Sequence, residues 1–283
     1  MNWIDPSIDT LIPDDVPLEA ALGRTTHLAV GTHPDDLEVF AYEAISTCYR
    51  DPQQWFTGIT VTDGAGSVRG TAYVDYTEEE LIAIRRKEQR EAARIGLYGA
   101  QIQLGIPSKT IKDPKKAKGV GRDLAEIFQI CRPRFVYLHN PLDRHPTHIA
   151  VFLQCLRALR TLKEEELPEL CFGCETWRDL DWLPERFRIS QDVSAYPNLA
   201  QALIALYDSQ ISSGKRYDLA VAGRRAAHAT LSHSHAGDES PAVSLAVDLM
   251  PLLRDPHLDP KQFSLDLVDA FREEVSDLYD SLT

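Results

Sequence analysis

Two short clusters of histidine and aspartate carry side chains that can bind a metal ion and move protons. They are residues 33–36 (HPDD) and residues 145–148 (HPTH). His33 and Asp36 are three residues apart, and so are His145 and His148, which lets each pair converge within one helical turn. Two histidines and one carboxylate with open coordination positions suit Zn²⁺ with a bound water, and they also suit ferrous iron. The clusters therefore favour metal-assisted hydrolysis over binding or scaffolding.

Each cluster follows an apolar run that is typical of a buried strand, residues 27–31 and 135–138 respectively. In each cluster a proline stands where the first helical position would fall, a place that proline suits. Taken alone, the acids of the first cluster could simply stabilise a helix N-terminus, and the histidines of the second could belong to a solvated loop. Two such clusters at two strand ends together favour a shared metal site.

Strand-like and helix-like segments alternate along most of the chain. The predicted strands are 27–31, 56–61, 101–104, 134–138 and 170–174, with 186–189 as a weaker candidate. The predicted helices are 37–49, 77–97, 119–131, 146–162, 197–209 and 215–229. This alternation predicts an α/β fold of Rossmann-like type, with a mostly parallel sheet and helices on both faces. In such sheets ligands bind beyond the carboxyl ends of the strands, where both clusters fall.

The two ends of the chain read as additions to one core domain. We expect residues 1–24 to form an arm that packs on the core, and residues 25–235 to form the catalytic domain. Residues 236–283 then form a C-terminal extension. Apolar residues recur there at helical spacing, which predicts a final amphipathic helix. These residues are Leu265, Val268, Phe271, Val275 and Leu278.

The charge balance limits the classes of partner. The chain has 30 Lys and Arg against 43 Asp and Glu, a net charge of −13. Such a surface repels phosphate backbones, so we expect no nucleic-acid partner, and an anionic substrate would need a local basic pocket. No apolar run approaches the roughly 18 residues of a membrane span. The acidic N-terminus does not resemble a signal peptide, and five cysteines are expected to be reduced thiols, so the predicted location is cytoplasmic. A homo-oligomer stays open.

Two further positions are candidate substrate contacts. Arg85 and Glu88 fall in the apolar stripe of the predicted helix 77–97, where a charge must be paired or must serve a site. They could pair with each other, or Arg85 could contact a polar or anionic substrate group. Asp63, in the turn after the second strand, could contact sugar hydroxyls or only shape the turn. The nearby aromatic segment 177–182 could stack on a sugar or act as a packing lid.

Residues 33–38 (HPDDLE) and 145–148 (HPTH) resemble the paired motifs of the LmbE-like/PIG-L family of zinc-dependent de-N-acetylases. The resemblance covers roughly residues 25–160, and the family also shows an Arg-x-x-Glu element like that of Arg85. It implies a Rossmann-like sheet and a small-molecule N-acyl amino sugar or conjugate as substrate. One position departs from the pattern, because Thr147 stands where the family commonly has Asp. This change is expected to affect the orientation of His148 and its affinity for the ion.

The same resemblance implies a role for each residue of the two motifs. His33, Asp36 and His148 would hold Zn²⁺, with Fe²⁺ as the alternative ion. Asp35 would be the general base that takes a proton from the attacking water. His145 would stabilise the oxyanion or protonate the leaving amine.

The sequence therefore predicts a metal-dependent hydrolase that removes an acetyl or other acyl group from an amide nitrogen. The expected substrate is an N-acetylglucosamine-type sugar. Three alternatives remain: an amidase acting on a larger sugar–thiol conjugate, a non-haem Fe(II) oxygenase, and a catalytically silent binding module.

Overall fold

The computed structural model describes residues 8–232 and 235–283, and in these residues eight strands form one sheet. The strands are β1 (Asp9–Leu11), β2 (His27–Gly31), β3 (Phe56–Thr62), β4 (Ala100–Ile106), β5 (Phe135–His139), β6 (Leu170–Cys174), β7 (Ile189–Asp192) and β8 (Val243–Asp248). Their order across the sheet is β1-β4-β3-β2-β5-β6-β8-β7. The five central strands from β4 to β6 are parallel, while β1 and β8 pair antiparallel with their neighbours.

Helices cover both faces of this sheet. They are α1 (Leu18–Gly23), α2 (Asp36–Phe40), α3 (Tyr42–Cys48), α4 (Glu78–Ile95), α5 (Ser108–Ile111), α6 (Lys118–Cys131), α7 (Pro146–Leu159), α8 (Pro197–Ala205), α9 (Asp208–Ile211), α10 (Tyr217–Leu231), α11 (Met250–Arg254) and α12 (Pro260–Asp280). Successive strand residues point to opposite faces, so Leu28 and Val30 pack with α1, α6 and α7, while Ala29 packs with α2, α3 and α4. The predicted α/β class with a mostly parallel sheet is confirmed.

The helix predicted at 37–49 is two helices, α2 and α3, separated at Ala41. The guanidinium of Arg225 reaches in from α10 and donates hydrogen bonds to the carbonyls of Glu38 and Val39, at 3.0 Å each. These two carbonyls lie just before the break at Ala41. A side chain of α10 therefore donates hydrogen bonds to the backbone where the helix is interrupted. Sequence periodicity could not reveal this contact, because its donor lies almost 190 residues away.

Two other expectations differ from the structure, and two strands were not predicted. Residues 186–189 were expected to be a strand, but Pro184 begins a turn of 3₁₀ helix there and β7 starts only at Ile189. The helix expected at 197–209 is split into α8 and α9. The short strand β1 and the buried strand β8 were not predicted, because both depend on partners distant in sequence.

Segments from both ends of the chain contribute strands to the sheet. β1 pairs with β4 at one edge, and β8 lies between β6 and β7. The division into an arm (1–24), a catalytic domain (25–235) and an extension (236–283) stays a prediction. The first seven residues of the arm and residues 233–234 lie outside the described part of the chain.

Two observations bear on the environment of the chain. None of the described helices is both long and apolar enough to cross a bilayer. All five cysteines are buried thiols without a disulfide partner. Cys171 and Cys174 lie within β6 and pack on opposite faces of the sheet. Both thiols are therefore part of the core.

The substitution Gly58→Ala should destabilise the fold, because β3 lies tightly against α2. A Cβ at Gly58 would lie 2.8 Å from Leu37 Cδ1 and 2.5 Å from Gln101 Oε1, and both side chains are fully buried. Overpacking of this kind costs about 1–3 kcal/mol. Urea unfolding measures the change, and Gly223→Ala on the exposed side of α10 is the control. Nothing lies within 4 Å of a Cβ there, so that change should stabilise the protein by about 0.5–1 kcal/mol. Equal midpoints for the two variants would contradict the close contact of β3 with α2.

Candidate metal centre and its cavity

The two histidine clusters meet because β2 and β5 are adjacent parallel strands. Their register pairs Val30 with Leu138, so both strands end at the same edge of the sheet. The chain order reverses direction between these two strands, and in open α/β sheets such a switch point forms a crevice beyond the strand ends. The turn after β2 and the loop between β5 and α7 both lie in this crevice.

The ligand atoms of the three predicted metal ligands, His33, Asp36 and His148, lie at nearly equal distances from one another. His33 Nδ1 is 3.4 Å from Asp36 Oδ2, His148 Nε2 is 3.5 Å from the same oxygen, and the two nitrogens are 3.3 Å apart. Ligand atoms of a tetrahedral site with bonds of about 2.0–2.2 Å are separated by about 3.3–3.6 Å. These residues therefore fit a tetrahedral divalent ion with its fourth position open.

The protonation states expected of His33 and Asp36 also suit a cation. Burial lowers the pKa of His33 to about 4, which leaves the imidazole neutral. Burial would raise the pKa of Asp36, but His148, His139 and hydrogen bonds to the carboxylate lower it well below its usual range. Asp36 Oδ2 also accepts the backbone N–H groups of Thr32 and His33, at 2.9 and 2.7 Å. Neutral imidazoles and an ionised carboxylate are the forms that bind a metal.

His139 is a member of this cluster that the sequence analysis did not assign. Its Nε2 lies 3.3 Å from Asp36 Oδ2 and 3.1 Å from the backbone nitrogen of Thr32, whose N–H is shared with Asp36. Asp36, His139 and His148 are close enough together to form a second possible set of metal ligands. Its Nδ1 lies 3.0 Å from Thr176 Oγ1, and its ring stacks on that of His148 with centroids 3.8 Å apart. We assign His139 a supporting role. Its position as the last residue of a buried strand next to β2 was the available signal.

Asp143 is the second unassigned member, and it orients the histidine loop. Its carboxylate accepts the N–H of His145 at 2.7 Å and the N–H of Trp177 at 3.0 Å. Asp143 Oδ2 also lies 3.4 Å from His148 Nδ1, within ion-pairing range although not aligned as a hydrogen bond. Asp143 thus places a carboxylate beside the Nδ1 of His148, close to Thr147, where the family pattern commonly has Asp.

The Asp35 side chain pairs with Arg85 and not with the predicted metal ligands. Its backbone has a φ of +98°, a strained value for a residue with a side chain, and its N–H donates to Gln89 Oε1 at 3.2 Å. Its Oδ2 lies 3.0 Å from a terminal nitrogen of Arg85. Burial raises the pKa of Asp35 well above its usual range, and the Arg85 charge opposes this shift.

Arg85 is almost fully buried, and its guanidinium is occupied by neighbouring groups. Besides Asp35, it donates to the carbonyls of Pro34 and Gly64 and to the hydroxyl of Ser67. The pairing of Arg85 with Glu88 considered from the sequence is not what forms. The Glu88 carboxylate instead accepts the N–H and the hydroxyl of Ser209, at 2.7 and 2.6 Å.

A cavity of about 510 Å³ opens over these groups. Its inner wall includes His33, Asp35, Asp36, Arg85 and His145. This volume lies within the range of about 300–1,000 Å³ that is usual for small-molecule sites. Buried His145 Nδ1 has no hydrogen-bond partner in the described residues.

The other predicted contacts differ in their relation to this cavity. Asp63 does not line it, and its Oδ1 accepts the N–H of Ala65 at 3.1 Å, so the carboxylate shapes the turn. Trp177 does line it, with its ring nearly parallel to that of His145 at 6.1 Å between centroids. Trp182 instead packs against Phe271 of α12 at 5.5 Å. The aromatic segment therefore serves both the cavity and the core, and a substrate contact by Asp63 stays a prediction.

Comparison with known proteins finds a match to one family and a set of structural neighbours. Residues 28–159 match the PIG-L family, described as GlcNAc-PI de-N-acetylase. The fold is similar to that of the N,N'-diacetylchitobiose deacetylase of Pyrococcus horikoshii, with a TM-score of 0.60 and 17% identity over 78% of this chain and 83% of that one.

Two further neighbours show that one fold carries different chemistry. A pseudoaglycone deacetylase of an antimicrobial compound has a TM-score of 0.59 and 16% identity over 80% of this chain and 97% of its own. A 4-carboxy-2-hydroxymuconate hydratase of Pseudomonas putida has a TM-score of 0.58 and 18% identity over 79% and 95%. At these identities the likeness concerns the fold alone.

Replacing Arg85 by methionine should strongly destabilise the protein, because it leaves the Asp35 carboxylate buried without its partner. Breaking a buried ion pair in this way costs about 3–5 kcal/mol. The control is Arg94→Met on the same helix, since Arg94 and Glu91 form an exposed pair and the change should stay within about 0.5 kcal/mol. Urea unfolding of both variants at neutral pH measures the difference.

The double variant Asp35→Asn/Arg85→Met separates the ion pair from the packing of the arginine stem. Removing the orphaned charge should restore part of the free energy of unfolding that Arg85→Met loses. A double variant less stable than Arg85→Met would mean that the pair is not the main role of Arg85.

Proposed function

Because residues 28–159 form a domain of the PIG-L family of de-N-acetylases, we propose that this chain is a metal-dependent hydrolase. It removes an acetyl or other acyl group from the amide nitrogen of an N-acetylglucosamine-type sugar. The supporting observation is the set of three proposed ligand atoms of His33, Asp36 and His148, which are 3.3–3.5 Å apart. Two of these residues, His33 and Asp36, line a cavity of small-molecule size.

We propose that His33, Asp36 and His148 hold one divalent ion, with Zn²⁺ as the first choice and Fe²⁺ as the alternative. When bound, such an ion lowers the pKa of a coordinated water from about 15.7 to about 7 and polarises the amide carbonyl. His139 and Asp143 would keep the ligand side chains in place, since they contact Asp36 and His148 respectively.

Asp35 is the proposed general base for the attacking water. It lines the cavity next to the ligand set and pairs with Arg85 through Oδ2, so Oδ1 is the atom proposed to accept the proton. Gln89 and Arg85 hold the strained backbone and the carboxylate in one orientation. A base positioned in this way contributes about a hundred- to ten-thousandfold to the rate.

His145 is the proposed group for the oxyanion or the leaving amine. Its ring meets that of His33 edge-on at 5.1 Å between centroids, and Asp143 fixes its backbone. Its Nδ1 has no hydrogen-bond partner in the described residues, which supports a role for the ring in the reaction over a purely structural one.

The proposed substrate is a small N-acyl amino sugar or a conjugate of one, and the five buried thiols favour the cytoplasm as its location. A hydratase shares the fold, and an amidase of larger sugar–thiol conjugates would need the same ligand set. A ferrous oxygenase and a silent binding module also remain as outcomes of the tests. Amine release, tested over a panel of N-acetyl sugars and conjugates, separates hydrolysis of either kind from hydration, oxygenation and simple binding.

The protein should contain about one divalent ion per chain, and His148→Ala should remove it. The loss is expected because two of the three proposed ligand–ligand contacts involve His148 Nε2. Elemental analysis of protein purified without chelators measures the metal content, and His257→Ala, on the exposed surface, is the control. Full metal content in His148→Ala would refute the ligand assignment.

Asp35→Asn should retain the metal but lower kcat for amine release by about 100- to 10,000-fold, because asparagine cannot take up the proton. Asp266→Asn on the exposed side of α12 is the matched control and should keep normal turnover. Near-normal turnover of Asp35→Asn with bound metal would remove Asp35 from the mechanism.

A further inference from the structure

The cavity carries the opposite charge balance from the rest of the chain. Five Lys and Arg side chains line it, against three carboxylates, whereas the whole chain has 30 against 43. All three carboxylates are already engaged. Asp35 pairs with Arg85, Asp36 accepts two backbone N–H groups, and Glu175 Oε2 lies 2.9 Å from His228 Nε2.

Two of the five cations are engaged as well. Arg85 is held by Asp35 and by neighbouring carbonyls, and Arg225 donates to two carbonyls of α2. Both are buried and belong to the wall of the cavity. Because both side chains are almost fully buried, they are less accessible to an incoming anion than the other three cations.

The remaining three cations are Lys112, Lys215 and Arg224, which are partly or fully exposed at the cavity. Within residues 8–232 and 235–283, none of them lies within 4 Å of a carboxylate oxygen. Arg224 donates to the carbonyl of Thr176, which holds its stem beside the cavity. They come from three separate segments: the end of α5, the loop before α10, and α10 itself. Their convergence on one cavity of an acidic protein is unlike a surface of evenly spaced charges.

Trp177 connects this group of cations with the proposed catalytic residue His145. The indole stacks near His145 at 6.1 Å, and the Lys215 ammonium lies 5.2 Å from the centroid of the same indole. Tyr217 meets the indole edge-on at 6.3 Å. Trp177 therefore lies close to both His145 and Lys215, so one small ligand beside the indole can reach both side chains.

We propose that the substrate carries an anionic group, a phosphate or a carboxylate, and that Lys112, Lys215 and Arg224 bind it within this cavity. The identity of the rest of the substrate rests on the function proposed above. The long-range field of a chain with a charge of −13 repels anions, so these local cations must supply the attraction. A hydrogen bond between charged groups contributes enough to change affinity by about tenfold or more.

The first test measures binding and needs no turnover. Calorimetry compares glucosamine 1-phosphate and carboxymethyl glucosaminide with the neutral methyl glucosaminide, using the metal-loaded protein. We expect the anionic ligands to bind about tenfold or more tightly than the neutral one, and the Lys215→Gln and Arg224→Gln variants to lose most of that difference. The matched control is Lys109→Gln, an exposed lysine on α5 that does not line the cavity and should keep it.

Comparison of the two anions identifies the source of the charge. The anion that binds more tightly to the wild type, with the larger loss in Lys215→Gln, is the group the cations fit. Equal affinity for all three ligands, or affinity that does not change in Lys112→Gln, Lys215→Gln and Arg224→Gln, would overturn the proposal. If the metal ion alone held the phosphate, the affinity would not change in these three variants.

A kinetic test separates this proposal from the proposed function. The N-acetylated forms of the same three sugars are assayed for amine release, and Lys215→Gln should lower the preference for the anionic substrates about tenfold, through KM. If no sugar is hydrolysed but anion binding depends on Lys215, the anion site stands and the hydrolase proposal fails. If the sugars are hydrolysed without a preference that depends on Lys215, the anion site fails and the hydrolase proposal stands.

Discussion

Parallel pairing of β2 with β5 at the centre of the sheet is the interaction on which the site depends. It places the ends of two strands, more than 100 residues apart in sequence, side by side. His33 and Asp36 follow β2, His139 is the last residue of β5, and His148 follows in the helix after it. A shift of one residue in this register would turn the strand-end side chains to the opposite face. The apolar side chains that alternate along both strands therefore fix the geometry of the polar atoms beyond them.

The acids of the first turn are buried together, and a second network stabilises them. Glu38, fully buried, accepts hydrogen bonds from Tyr98 and Tyr207, at 2.6 Å each, and from Gln89 at 2.9 Å. Burial raises the pKa of Glu38 to about 7, with the hydrogen bonds opposing the shift. Gln89 in turn accepts the N–H of Asp35, so the amide links the buried glutamate to the strained backbone of the proposed base. Groups held by such outer contacts keep a site in its working geometry.

The sequence predicted the fold class and the place of the site because both depend on local patterns. Apolar runs mark the strands, and ligand-type residues directly after them mark the crevice. The contacts that complete the site are not local. Asp143 was visible in the histidine loop, but its three partners depend on how that loop closes against Trp177. Arg85 was recognised as a charge in an apolar stripe, yet a neighbour on its own helix was as reasonable a partner as Asp35, 50 residues earlier. The hydratase with a similar fold likewise shows that the sheet alone does not determine the reaction.

The position of β8 has a consequence for the synthesis of the chain. β7 pairs with β8, and β8 in turn pairs with β6, so in the described sheet β7 is joined to the other strands only through β8. On the ribosome, β7 emerges about fifty residues before the strand that must separate it from β6. Until then β6 presents an unpaired edge to the cell, and such edges invite pairing with other chains. The nascent protein thus depends on β8 to cover the edge of β6, so the interval between the synthesis of β6 and that of β8 is the period of greatest exposure to misassembly and to chaperones.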